Sequence, residues 1–293
     1  MGTKSRAVPA FLLLGVITSA STRAHADELP ARLPDNQHFT IDPVADGVLV
    51  VGGATFDALL TLILSTGEIR PQLPGSPDNL LSIDKLAVTQ TPDPKAGTYS
   101  NIAISAVYAY AALDPVLSGL RDGRRAFAVD AILYAESIAL TGAFTQATKI
   151  GVRRPRPIDY AACSGAMAPS QCTSTTDLQL SFFSGHASAA GAISATATYL
   201  AFARSGWRRP RPWITLVAGT ALTAAISYWR VRSGEHFPTD VIMGSLAGGG
   251  IGVLVPHFHR RPHYHNQELE SPPVIIGYAP VPGGGSMTLQ WRF

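Results

Sequence analysis

Three short segments of this chain carry residues that can bind and attack a phosphate-like anion. They supply three long cations, two histidines, a carboxylate and a Ser-Gly turn: Lys149 and Arg156; Ser184, Gly185 and His186; and Arg230, His236 and Asp240. Arginine and lysine neutralise non-bridging phosphate oxygens, and histidine serves as nucleophile or acid. The inventory fits phosphoryl transfer if the fold brings the three segments together.

The third segment offers the nucleophile. His236 and Asp240 are four residues apart, and Pro238 is placed to be the first residue of a helix. Asp240 can then contact one ring nitrogen of His236, fix its tautomer and leave the other nitrogen free to attack phosphorus.

The second segment offers an anion site and an acid. A Ser-Gly-His turn that enters a helix presents backbone N–H groups to an anion, and His186 is placed to protonate the leaving group. Because the cations neutralise the phosphate, we expect no metal and no other cofactor.

The order and spacing Lys-x6-Arg-Pro, Ser-Gly-His and Arg-x5-His-x3-Asp resembles the type 2 phosphatidic acid phosphatase superfamily. That superfamily includes bacterial class A acid phosphatases and vanadium-dependent haloperoxidases. The resemblance covers roughly residues 120–256. It implies that His236 forms a phosphohistidine, that His186 is the general acid and that Asp240 orients the nucleophile. It also implies a helical bundle with the motifs at one end and a phosphate pocket made of Lys149, Arg156, Ser184, Gly185 and Arg230.

Two positions depart from the family pattern. Phe183 stands where the family usually has proline, and Trp229 stands where it often has serine. Neither change removes a functional group, so we expect an altered pocket shape with the activity retained.

The hydrophobic pattern predicts an all-α bundle of five or six core helices, at roughly 44–66, 101–119, 124–149, 186–204, 212–229 and 238–255. A short helix is expected near 80–88. A Pro-Gly-Gly-Gly turn between two apolar runs predicts a β-hairpin at 272–293. The chain divides into a signal peptide (1–26), an N-terminal arm with the first helix (27–100), a phosphatase core (101–256) and a His/Arg-rich tail with the hairpin (257–293).

The first 26 residues are typical of an export signal, with a basic start, a short apolar run and Ala24-His25-Ala26 as the cleavage pattern. Export to the periplasm or cell envelope is therefore expected. In an oxidising compartment the closely spaced Cys163 and Cys172 are predicted to form a disulfide.

Composition leaves two arrangements to choose between: a bundle that spans a membrane, and one that is soluble or attached to the membrane surface. The chain is 46% hydrophobic and 15% charged, and its net charge of +3 is too small to indicate a nucleic-acid partner. Asp130 and Glu136 fall inside one helical stretch, and charges inside a membrane span cost free energy. We therefore predict a soluble bundle or one with peripheral membrane contact, in which these two acids are polar helix-packing groups.

The remaining charged clusters are interpreted as structural. The second RRPRP sequence, at 208–212, is predicted to be a solvated or interfacial turn. Arg153 and Arg154, beside the first copy, are interpreted as solvated neighbours that could also extend an anionic substrate site. Glu235 is predicted to be a surface residue. The histidines of the tail are predicted to form a polar segment without fixed metal geometry: His257, His259, His263 and His265.

The leading hypothesis is an exported phosphatase that hydrolyses a phosphomonoester or diphosphate of a lipid or small organic molecule. One alternative is a haloperoxidase in which the same pocket holds vanadate on His236, but such enzymes are usually much longer. The other is an inactive envelope scaffold with this fold, against which the intact motif set argues.

Overall fold

The computed structural model describes residues 38–163, 180–261, 274–281 and 284–291, with backbone alone for 161–163 and for the two strands. The predicted all-α bundle is confirmed in this part of the chain. Its elements are α1 (Ala45–Ser65), α2 (Ser82–Thr89), α3 (Pro94–Asp122), α4 (Arg124–Val152), α5 (Pro157–Cys163), α6 (Gly185–Ser205), α7 (Pro210–Arg232), α8 (Pro238–Phe258), β1 (Val274–Val281) and β2 (Gly284–Trp291).

Capping residues set where the site-bearing helices begin. Ser184 caps α6 and accepts a hydrogen bond from the backbone N–H of Ala187 at 3.4 Å. In α8, Pro238 occupies the first turn, and the Asp240 carboxylate accepts the backbone N–H of Phe237 at 2.8 Å. Proline and acidic residues are favoured at helix starts because the first N–H groups have no partner inside the helix. Both motif histidines therefore lie where a helix begins.

Helices α6 and α8 run parallel at very close range. A Cβ on Gly248 would lie 1.9 Å from the Ser188 carbonyl oxygen, and one on Gly252 would lie 2.2 Å from that of Ala192. Glycine is therefore required for the two backbones to approach each other. Because the helices are parallel, their N-termini meet at the same end of the bundle.

Helices α4 and α7 run antiparallel to this pair. Thr145 and Ser188 join α4 to α6 near one end through a 3.0 Å hydrogen bond, and Ser137 and Thr196 join them further along at 3.0 Å. A five-residue connection, 233–237, links α7 to α8. The C-terminal ends of α4 and α7 therefore meet the N-terminal ends of α6 and α8, and all three motifs lie at this end.

Helix α1 packs along α4 in the same direction, with a 2.8 Å hydrogen bond from Gln146 to Thr61. The segment before α1 lies at the other end of the bundle, where Phe39 forms an isolated β-bridge with Arg260. Phe39 is buried against the core. The segments before α1 and after α8 therefore lie together at the end of the bundle opposite the motifs.

Five helical stretches are long and apolar enough to cross a membrane: Ala45–Ser65, Pro94–Asp122, Arg124–Tyr160, Pro210–Arg232 and Pro238–Phe258. Large apolar side chains cover the outward faces of α1, α7 and α8, among them Val51, Leu62, Val217 and Leu246. These surfaces support membrane association and weigh against the soluble arrangement.

The two acidic side chains that argued against a membrane-spanning helix, Asp130 and Glu136, point toward the interior of the bundle. Asp130 is buried and pairs with Arg204, whose Nη1 donates to Asp130 Oδ2 at 2.6 Å, and Glu136 is also buried. Acidic groups that face the bundle interior are compatible with a membrane-crossing helix. Their predicted role as helix-packing groups agrees with this placement.

The predicted hairpin is present as an antiparallel pair, with Val274 opposite Trp291 and Val281 opposite Gly284. The leader at 1–26, Cys172 of the predicted disulfide, and His263 and His265 lie outside the described residues.

Candidate active site

Two arginines from different motifs converge on one carboxylate. Arg230 lies in the last turn of α7, and Arg156 immediately precedes α5. Glu235 Oε2 accepts a hydrogen bond from Arg230 Nη2 at 3.2 Å and another from Arg156 Nη1. The Nε of Arg230 is buried and has no hydrogen-bond partner among the described residues. Since arginine binds carboxylate and phosphate oxygens in the same way, this pair forms an anion site that Glu235 occupies.

The position of Glu235 corrects the sequence interpretation. Glu235 was expected at the surface, yet its carboxylate bonds both arginines and offsets one of their two charges. Its side chain is 33% exposed, so an incoming anion can reach and displace it.

The imidazole of His236 is held in one tautomer. Its Nδ1 lies 2.7 Å from the backbone carbonyl oxygen of Ser181. A carbonyl can only accept, so Nδ1 carries the proton and Nε2 keeps its lone pair. The pKa of His236 is lowered to about 3, mainly by burial; Asp240 opposes the lowering, and the charges of Arg230 and Arg156 add to it. At neutral pH the ring is therefore uncharged.

Asp240 organises the nucleophile from a greater distance than expected. Its Oδ2 is 3.8 Å from His236 Nδ1, so the Ser181 carbonyl occupies the place predicted for the carboxylate. Oδ2 instead accepts hydrogen bonds from the Ser181 hydroxyl and from the backbone N–H of Phe237. Asp240 therefore fixes both segments that hold the ring, and its charge stabilises an imidazolium.

Arg154 is part of this network, which corrects its assignment as a solvated residue. Nη1 donates to Asp240 Oδ1 at 2.5 Å, and Nη2 donates to Asp84 Oδ2 at 2.8 Å. The guanidinium also lies 3.9 Å from the centre of the Phe237 ring. Asp84, on α2, in turn accepts the backbone N–H and the hydroxyl of Thr239 in the first turn of α8. One arginine thus bridges two buried carboxylates that hold the start of α8 and offsets part of their charge.

His186 is surrounded by the cations of the other motifs. Burial lowers its pKa to about 4, and the charges of Arg230, Lys149 and Arg156 contribute. Its Nε2 lies 2.9 Å from Asn101 Oδ1. An amide oxygen only accepts, so Nε2–H donates to Asn101 in the neutral ring. The structure therefore brings both histidines into the field of the same arginines.

Lys149, Gly185 and His186 line a cavity of about 250 Å³ between α1, α3, α4 and α6. Other parts of its wall are apolar and come from Ile104 and Ile138. The Ser184 hydroxyl is buried and caps α6. Gly185 is the first residue of that helix, where backbone N–H groups favour an anion.

Sequence reasoning missed four residues of this site. Ser181, Arg154, Asp84 and Asn101 all contact a motif residue or its partner. Arg154 carried the one usable signal, because it sits two residues before Arg156. For the other three, no spacing rule connects them to the motifs.

The two departures from the family pattern pack as apolar groups. Phe183 is buried with its ring 5.7 Å from that of Phe144, and Trp229 lies 5.9 Å from Tyr99. In the second RRPRP sequence, Arg208 and Arg209 are exposed as predicted. Arg204, which precedes it, is buried in its pair with Asp130.

The described helical bundle gathers two histidines, three cations and a capped helix N-terminus at one end, which are groups able to bind a phosphate-like anion beside a neutral imidazole. Residues 130–264 match the family model of the PAP2 superfamily, and this segment contains every motif residue. This matched segment, just under half of the chain, is therefore similar to the PAP2 superfamily.

Two solved structures are similar to the chain. One is a transmembrane PAP2 type phosphatidylglycerolphosphate phosphatase from Bacillus subtilis, with 17% identity, 73% of this chain and 94% of that chain covered, and a TM-score of 0.45. The other is Aquifex aeolicus LpxE, with 19% identity, 60% and 96% covered, and a TM-score of 0.40. No curated protein matches the chain significantly.

Proposed function

We propose that this chain is a membrane-bound phosphatase that hydrolyses a lipid phosphomonoester or diphosphate through a phosphohistidine on His236. The observation that carries the proposal is the convergence of Arg156 and Arg230 on one carboxylate. The same two charges act on the His236 ring, whose Nε2 lone pair is available. Positive charge and a neutral nucleophile at one place are what attack on phosphorus requires.

In the first step the substrate phosphate displaces Glu235 and takes its hydrogen bonds from the arginines. His236 Nε2 forms a bond to phosphorus while the bond to the leaving oxygen breaks, and His186, which has gained a proton on binding of the phosphate, gives that proton to the leaving oxygen. Asp240 stabilises the positive charge that develops on the His236 ring. In the second step water attacks phosphorus, His186 takes its proton, and the bond from phosphorus to Nε2 breaks. The cations stabilise both transition states, so we propose that the reaction needs no metal.

A lipid substrate is supported by the wall of the neighbouring cavity. Lys149 and His186 place a cation and an acid on it, and Ile104, Ile138 and Ala189 add apolar surface. The helices that form it include three of the five stretches apolar enough to cross a membrane. An acyl or prenyl chain fits such a wall, because burying its methylene groups contributes about 0.8 kcal/mol each.

We propose further that the site faces outward from the membrane. Arginine-rich turns lie at the opposite end of the bundle, at 121–125, 208–211 and 260–261, and cytoplasmic loops carry an excess of such residues. In a bundle that spans the membrane, residue 38 then lies on the cytoplasmic side, which conflicts with a cleaved leader. Mass spectrometry of the purified chain should show that it retains the leader, and a mature start near Asp27 would contradict this orientation.

Phosphate release from lipid and soluble phosphates, in chelating detergent buffer, tests the activity. We expect the lipid phosphates to be preferred, His236→Ala to be inactive, and vanadate to inhibit the wild-type chain. Full activity in His236→Ala would refute the mechanism. Peroxide-dependent bromination by the vanadate-loaded chain would instead identify the haloperoxidase alternative.

A further inference from the structure

A cluster of side chains that could bind a metal ion lies away from the active site. It consists of Asp46 in the first turn of α1, Glu136 within α4 and His259 directly after α8. Helix α8 is 21 residues long, about 31 Å, with the active site at its other end. His259, which was predicted to belong to a polar tail, is therefore folded against the bundle.

Two distances in this cluster match those between the ligands of one small cation, and all three ligand atoms lie within 4.8 Å of one another. His259 Nε2 lies 3.3 Å from Asp46 Oδ1 and 3.5 Å from Glu136 Oε2. Tetrahedral zinc with bonds of about 2.0–2.2 Å holds its ligand atoms roughly 3.3–3.5 Å apart. A proton shared between imidazolium and carboxylate would bring the atoms to about 2.7–2.9 Å. The observed separations therefore favour a cation over a hydrogen bond.

The tautomer of His259 favours the same interpretation. Its Nδ1 lies 2.8 Å from the Val255 carbonyl oxygen, so Nδ1 carries a proton and donates it. In the neutral ring the Nε2 lone pair is directed at the two carboxylates. Metal-binding histidines almost always donate their other N–H to a carbonyl or carboxylate in this way.

The carboxylates have oxygens to spare for a ligand. Asp46 Oδ2 accepts the backbone N–H of Asp42 at 2.7 Å, which leaves Oδ1 facing His259. Glu136 is 1% exposed, and its Oε1 has no hydrogen-bond partner among the described residues. Two buried carboxylates and a lone pair repel one another, and an unsatisfied buried oxygen costs free energy. A divalent cation offsets all of these at once.

We infer that Asp46, Glu136 and His259 bind a zinc ion, with water as the fourth ligand. Two carboxylates and one imidazole are ligands that zinc accepts. The ion joins the start of α1 to α4 and to the end of α8, where Thr40 N–H already donates to the His259 carbonyl at 2.8 Å. Its role is structural, and it is independent of the proposed phosphatase reaction.

Zinc binding to the chelator-stripped full chain in detergent, with any tag removed, tests this site by calorimetry. We expect one zinc per chain and a raised melting temperature. Glu136→Gln and Asp46→Asn should each weaken binding at least 100-fold. His257→Gln is the matched control, because His257 bonds Tyr199 at 3.0 Å instead of the cluster, and it should bind zinc as the wild type does.

A second measurement guards against variants that fail to fold. Cobalt added to the wild-type chain should give the visible absorption of a tetrahedral site, and a His263→Gln/His265→Gln variant should retain it. Loss of the signal in that variant would show adventitious binding by the tail. Failure of the wild type to bind zinc, or equal binding by Glu136→Gln, would overturn the inference. Phosphate release in the presence of a chelator should persist whether or not this site binds zinc. The zinc site and the phosphatase reaction can therefore be refuted independently of each other.

Discussion

Replacing Arg154 by methionine should lower the free energy of unfolding. We expect this effect because Arg154 holds two parts of the fold together and is not proposed to contact the substrate. Arg154 is the cation between Asp84 and Asp240, which are both fully buried, while its own side chain is 20% exposed. Removing one partner of a buried ion pair costs about 3–5 kcal/mol, because a charge is left buried without compensation. Asp84 keeps its hydrogen bond from Thr239, and Asp240 keeps those from Phe237 and Ser181. We therefore expect the free energy of unfolding to fall by about 3 kcal/mol, near the lower limit of that range.

Two neighbouring arginines provide matched controls. Arg153 is exposed, so Arg153→Met should change the free energy of unfolding by less than about 0.5 kcal/mol. The Arg156 side chain is 11% exposed, but its partner Glu235 is 33% exposed and also bonds Arg230, so Arg156→Met leaves that carboxylate with solvent and a partner and should cost less than Arg154→Met. Because Arg156 is proposed to bind the phosphate, the same change should lower kcat/KM by roughly 100-fold or more.

The assay is reversible unfolding in mixed detergent micelles, followed by fluorescence of the four tryptophans, alongside phosphate-release kinetics. If Arg154→Met unfolds within about 0.5 kcal/mol of the wild type but loses activity as Arg156→Met does, Arg154 contacts the substrate and the structural account of it is wrong.

Two further predictions concern the anion site. Glu235→Gln removes the charge that competes with phosphate for Arg156 and Arg230, so inhibition by inorganic phosphate should tighten about tenfold, which is about 1.4 kcal/mol; weaker inhibition in this variant would show that Glu235 positions the arginines. The pKa of ligand-free His186 is lowered to about 4 by burial and by three nearby cations, so the ring is neutral at pH 6, and a bound phosphate dianion should raise its pKa and add a proton. Nitrogen NMR of labelled histidines measures this change, and an unprotonated His186 in the complex would contradict its role as general acid.

The placement of the motifs could be predicted from the sequence because each motif adjoins a helix end. Lys149 lies in the last turn of α4, His186 in the first turn of α6, Arg230 in the last turn of α7 and Asp240 in the first turn of α8. Successive helices alternate in direction, so these four ends fall on one face. The local hydrophobic pattern and the position of each motif near a helix end were therefore sufficient to predict the fold class and the grouping of the motifs.

The contacts within the site could not be predicted in the same way. Ser181 meets His236 across 55 residues, and Arg154 meets Asp84 across 70. Such pairs depend on how the loops pack after the helices have assembled, and no local spacing specifies that packing. The membrane surface was misjudged for a related reason. The charge of Asp130 counts against a span only if the side chain faces lipid, and its burial against Arg204 appears only in three dimensions.

The central claim is that His236 carries the phosphoryl group during turnover. The most direct test is to quench the enzyme at high pH during hydrolysis of a lipid phosphate and to map the phosphorylated peptide by mass spectrometry. The account predicts acid-labile phosphate on His236, seen in the wild type and absent from His236→Ala. Phosphate on another residue, or turnover by His236→Ala, would contradict it.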